Sequence, residues 1–123
     1  MRLSLVLAFA TLALMAPPLV GRAAAAEPYC VPKSVNSSTS TYVLGWGSAT
    51  CYGVQGKVGV TTLLVHHGSS QANRYRSCYL PGWGTCGPWS LSISATHPED
   101  WCVKTYVTYR VNNSLRVKYS ACT

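Results

Sequence analysis

The chain has 123 residues, ten Lys and Arg against three acids, six cysteines and a formal charge of +7. That length points to one domain. Three carboxylates leave little for general acid–base catalysis, and without a C-x-x-C pair the cysteines do not suggest a zinc site.

Met1-Arg2 forms a short basic start, and Leu3 to Ala16 is apolar apart from Ser4 and Thr11. Fourteen helical residues reach about 21 Å, short of the roughly 30 Å hydrocarbon core of a bilayer. Pro17-Pro18 ends any helix, and Ala24-Ala25-Ala26 supplies small residues for a signal peptidase. The expectation is a cleaved leader over residues 1–26 and a secreted product without stable membrane insertion; an uncleaved anchor is the alternative. Removing Arg2 and Arg22 leaves eight bases against three acids, a net +5. All six cysteines fall after the cut, which in a small exported chain reads as three disulfides. Each could contribute roughly 3 kcal/mol by restricting the unfolded chain.

Residues 27–40 are polar and rich in Ser and Pro, an extended arm or first edge strand anchored by Cys30. Residues 41–123 then read as a single domain with a two-residue period. Strands are expected over Thr41 to Tyr52, Lys57 to His67, Arg74 to Leu80, Trp89 to Ala95, Trp101 to Val111 and Leu115 to Cys122. Gly68 to Asn73, Pro81 to Gly84 and His97 to Asp100 separate several of them as turns. Many short strands of this kind predict an all-β, antiparallel, disulfide-stabilised β-sandwich, immunoglobulin-like by strand count, with a small β-barrel as runner-up.

The final hairpin can be given a register if the apolar faces of its strands coincide. Tyr109 then pairs with Leu115, Val107 with Val117 and Thr105 with Tyr119, around a three-residue loop Val111-Asn112-Asn113. Cys102 falls across from Cys122, predicting that bridge. Cys78 and Cys86 bracket a compact turn and suggest a local bridge, leaving Cys30 with Cys51. An inter-sheet bridge such as Cys51–Cys102 is the rival, since six cysteines allow 15 pairings.

The same register gathers Lys104, Tyr106, Arg110, Arg116 and Lys118 on the hairpin's other face, a compact positive patch. Such a patch could hold an acidic glycan, an anionic surface or an acidic protein; a solvated outer face is the plainer reading. Trp46 and Trp83 each lie in a Gly-Trp-Gly triplet. Flanking glycines would clear space for an exposed sugar platform, or let the indole fold back as a lid. His66 and His67, adjacent on a strand, should point to opposite faces. His97, Glu99 and Asp100 share one turn and could form an acid–base or metal cluster, although a polar turn explains the same residues. Asn36-Ser37-Ser38 and Asn112-Asn113-Ser114 match the N-glycosylation pattern.

No catalytic residue, metal site or cofactor is assigned from the sequence. The expected function is a secreted, monomeric, non-catalytic module that binds an extracellular or cell-envelope component through the basic face, the Trp turns or both. Nucleic acid is not expected as a partner. The alternative is a hydrolase inhibitor or toxin-like agent using the Cys78–Cys86 loop, and an enzyme built on His97, Glu99 and Asp100 ranks last.

Overall fold

The computed structural model describes residues 26–123, so the expected leader lies outside the described residues apart from Ala26. Five strands follow one another: β1 (Tyr29–Asn36), β2 (Tyr42–His66), β3 (Ser69–Ser94), β4 (Trp101–Val111) and β5 (Ser114–Tyr119). A 3-10 turn, Pro98–Asp100, leads into β4. Every neighbouring pair is antiparallel. The strand order is β1-β2-β4-β5, with β3 on the second edge of β2. The domain is all-β with three disulfides, and the sheet is curled into a half-barrel; an immunoglobulin-like sandwich is not confirmed.

The difference arises inside β2 and β3, which are 25 and 26 residues long. Each absorbs two of the strands expected from the sequence. The Gly-Trp-Gly triplets do not break them: Trp46 pairs with Ser90, and Trp83 with Tyr52. Instead the β2–β3 ribbon doubles back. Its corner combines a register shift between Tyr52 and Gln55 with left-handed backbone at Gly53 (φ 73°), Gly56 (φ 118°), Gly82 (φ 128°) and Gly84 (φ 138°). Such angles cost glycine little and other residues much. β1 flanks the first half of β2, and β4 the second half on the same edge.

Folding the ribbon over brings its two halves face to face. Val43, Ala49 and Cys51 come from the first half of β2, and Val58, Val60 and Leu64 from the second. Val103, Val107, Tyr109 and Val111 of β4 complete the core. Each fully buried valine contributes about 1.5–3 kcal/mol. A Cβ on Gly45 would lie 2.5 Å from Val103 Cγ1 and 3.1 Å from Leu64 Cδ2, and one on Gly47 would overlap the Thr62 and Thr105 hydroxyls. Both glycines of the first triplet therefore face the core and let the halves approach, while Trp46 points outward. Polar contacts also join the layers. Ser34 Oγ donates to Thr105 Oγ1 at 2.7 Å and lies 2.7 Å from Ser120 Oγ.

The disulfides are Cys30–Cys51, Cys78–Cys86 and Cys102–Cys122, the pairs favoured from the sequence. The reasoning that led to the last of them is corrected. Asn112 (φ 49°) and Asn113 (φ 64°) form a two-residue loop of the mirror-image kind that suits hairpin twist. The loop is one residue shorter than expected, so Val107 pairs with Lys118, Thr108 with Val117 and Tyr109 with Arg116. Such a slip sends every β5 side chain to the opposite face. Beyond Tyr119 the ladder shifts again: Thr105 N–H donates to Ser120 Oγ at 2.9 Å, and Val103 and Thr123 exchange two backbone bonds. That second irregularity returns Cys122 to the neighbourhood of Cys102, 5.4 Å between Cα atoms.

Replacing Gly47 by Ala should test the close approach. We expect a loss of about 1–3 kcal/mol from overpacking against two stiff threonines, measured as a lower urea midpoint with an unchanged m-value.

Candidate functional site

The outer face of the first half-sheet is ordered by the ladder. Tyr29 of β1 lies directly across from Tyr52 of β2, and Tyr52 across from Trp83 of β3. Paired residues share a face, so three aromatic side chains form one row across three strands. The Tyr29 and Tyr52 ring centroids are 5.0 Å apart. Tyr29 is 43%, Tyr52 49% and Trp83 73% exposed. Trp83 is therefore not a lid, and its two glycines belong to the corner. Trp46, more covered at 38%, points outward elsewhere on the same half, where Val35 is its neighbour on β1. Val31, Thr50 and Thr85 make the next outward row, in which the two threonine hydroxyls meet at 3.0 Å.

The expected basic patch is split. Lys104, Tyr106 and Arg110 face outward on β4, and the β5 residues beside them are Leu115, Val117 and Tyr119. The Tyr106 and Tyr119 ring centroids are 5.4 Å apart with their planes tilted by 44°, and Lys104 Nζ lies 5.0 Å from the Tyr119 ring centroid. Arg110 donates to the Asn113 carbonyl at 3.2 Å. Arg116 and Lys118 lie on the other face, where Arg116 donates to Glu27 Oε1 at 2.8 Å. The hairpin thus presents a mixed aromatic and basic surface in place of five clustered polar residues.

A third group lies at the opposite end of β2. His66 closes β2, and His67 (φ 50°) with Gly68 (φ 76°) makes the two-residue turn into β3. The left-handed backbone brings the two imidazoles to the same side, 4.0 Å between centroids, which corrects the opposite-face expectation. Asp100 joins them, and one ligand atom from each residue falls within 4.8 Å of the others. His97 instead pairs with Glu99, Nδ1 to Oε1 at 3.2 Å. A backbone hydrogen bond, helped by His97, holds the Glu99 carboxyl below its ordinary range. Any stability from this contact is present above the usual glutamate range and fades as pH falls through the lowered value.

Sequence reasoning missed Tyr29 and Tyr52 as site residues, although a signal existed. Each is one residue outside a Cys30–Cys51 pair, so a direct cross-strand bridge also places the tyrosines opposite one another. Trp83 joins the row only through the corner register, which spacing does not reveal. The chain matches no protein-family model and no curated protein, so its function is argued from these surfaces.

Acrylamide quenching should separate the tryptophans. Trp83→Phe should remove the most readily quenched part of the emission, whereas Trp89→Phe should leave that part intact.

Proposed function

We propose that the chain is a secreted, non-catalytic glycan-binding module, and that the Tyr29–Tyr52–Trp83 row is its platform. The row carries this reading because it is an exposed aromatic strip built on paired strands. Strand neighbours are about 4.8 Å apart, so three rings span about 10 Å between the outer strands. Sugar rings present apolar C–H faces that gain dispersion contacts when laid on aromatic rings. Two of the platform's three strands are bridged at the adjacent row by Cys30–Cys51, and Cys78–Cys86 clamps the corner carrying Trp83. A platform held in this way loses little conformational freedom on binding. Three disulfides are compatible with an extracellular setting, and no described helix is long and apolar enough to cross a membrane.

A second reading rests on Lys104 over Tyr119. The outward face of β4 and β5 combines two bases, Lys104 and Arg110, with the adjacent rings of Tyr106 and Tyr119, a surface suited to an acidic glycan. The inhibitor reading would use Trp83 as well, with a protein in place of the sugar.

Retention of the oxidised mature protein on chitin, peptidoglycan, heparin and anionic vesicles, at low salt and near 1 M, distinguishes these surfaces. Near 1 M the Debye length is only about 3 Å. The platform predicts retention on chitin or peptidoglycan through high salt, and Trp83→Ala should weaken it about tenfold, near 1.4 kcal/mol, without lowering the melting temperature. Heparin binding that salt abolishes and Lys104→Ala reduces would favour the second face. Loss of melting stability in Trp83→Ala, or no glycan binding at low salt, would overturn the platform.

A further inference from the structure

We infer that His66, His67 and Asp100 form a binding site for a divalent transition-metal ion, zinc or copper. The site is separate from both glycan faces and does not rest on the proposed function.

The fold assembles the three side chains from two connections. His66 is paired in the β2–β4 ladder with Trp101, the first residue of β4. Asp100 immediately precedes Trp101, so the ladder delivers its carboxylate to the end of β2. His67 would face away if the strand continued. Its left-handed φ of 50° ends the strand and swings the ring beside His66. The His66 ring lies nearly parallel to Trp101, 4.6 Å between centroids and 19° between planes. One imidazole is therefore held by stacking, and two more exposed side chains flank it. All three border an open depression of about 860 Å³.

Two imidazole nitrogens and one carboxylate oxygen make a borderline donor set that suits zinc and copper better than the all-oxygen preference of calcium or magnesium. Bond lengths near 2.0–2.1 Å put tetrahedral ligand atoms about 3.3 Å apart. The ligand atoms here lie within 4.8 Å of one another, a gap that rotation of the exposed His67 and Asp100 side chains can close. Three protein ligands leave at least one position for water.

The local charge agrees. Glu27 is paired with Arg116, and Glu99 with His97. Asp100 has no ion-pair or side-chain hydrogen-bond partner among the described residues, although the chain is strongly basic. Among the described residues, no Lys or Arg borders the depression. The other described titratable group facing it is His97, already turned to Glu99.

Titration calorimetry and thermal melting of the chelator-treated, disulfide-intact protein with Zn²⁺, and separately with Cu²⁺, test the site. The expected result is one ion per chain and a melting temperature that rises with ion concentration, because only the folded chain holds the three ligands together. His67→Asn keeps a residue tolerant of left-handed backbone and removes the imidazole; Asp100→Asn removes the charge at constant shape. Each should weaken binding roughly tenfold or more, while His97→Ala retains it. No saturable binding by about 1 mM free ion, or equal binding by the parent and both variants, overturns the site. If a variant melts early without metal, the ring-proton shifts of His66 and His67 on adding Zn²⁺ to the parent decide. Shifts at both rings support the site, and shifts at neither overturn it.

Discussion

The fold depends on one strand being held back on itself. Residues eight apart in an extended strand are separated by about 26 Å, yet Cys78 and Cys86 of β3 are 5.8 Å apart at Cα. The bridge clamps the corner of the long ribbon, and the left-handed glycines around it, among them Gly82 and Gly84, make the corner sterically open to the backbone. Doubling the ribbon lays Val43, Gly45 and Gly47 against Leu64, Val103 and Thr105. It also turns one sheet into its own partner layer. A small chain that buries a modest fraction of its surface thereby gains two facing layers from a single hairpin. The register shift between Tyr52 and Gln55 completes the corner. Inward residues are odd-numbered before it (Val43, Ala49, Cys51) and even-numbered after it (Val58, Val60, Leu64).

That change of parity explains which features were legible in the sequence. Within a run, alternation could be read directly: Val103, Thr105, Val107, Tyr109 and Val111 all face inward as the period demands. The cysteine pairs were legible too, because short spacings and cross-strand geometry restrict them. Continuity was not. A Gly-Trp-Gly triplet inside a paired strand has the same composition as one in a chain-reversing turn, and only the partner strand distinguishes them. The first triplet proves to be a packing device, with its glycines turned toward Val103 and Thr105. The second is a bend, with its glycines in left-handed backbone.

The basic surface shows the cost of assuming that apolar residues must face inward. β5 is exposed at all six positions, so burial does not select its register, and the conformation of the Asn112-Asn113 loop does. Leu115, Val117 and Tyr119 consequently lie on the outer surface beside Lys104 and Arg110. Charged residues on and beside an exposed edge strand oppose pairing with a second sheet, and Lys104 covers part of the Tyr119 ring. The same five polar residues that spacing gathered into one patch thus serve two faces, one of them engaged by Glu27 through Arg116.

The aromatic row and the histidine cluster then fall at opposite ends of the ribbon's second half. Tyr52 and Trp83 stand at the corner, and His66 lies about 45–48 Å of strand away, at 3.2–3.4 Å per residue. Each end is a place where β2 and β3 depart from regular pairing, and each departure aims side chains that a straight ladder would have placed elsewhere. At the corner, a bulge and left-handed glycines accompany the alignment of Trp83 with Tyr52. At the turn, left-handed His67 brings its ring beside His66. The two sites share no residue and rest on different connections, so an ion at the turn has no direct contact through which to move the rings at the corner. Irregular backbone, more than composition, determines where this small sheet concentrates its chemistry.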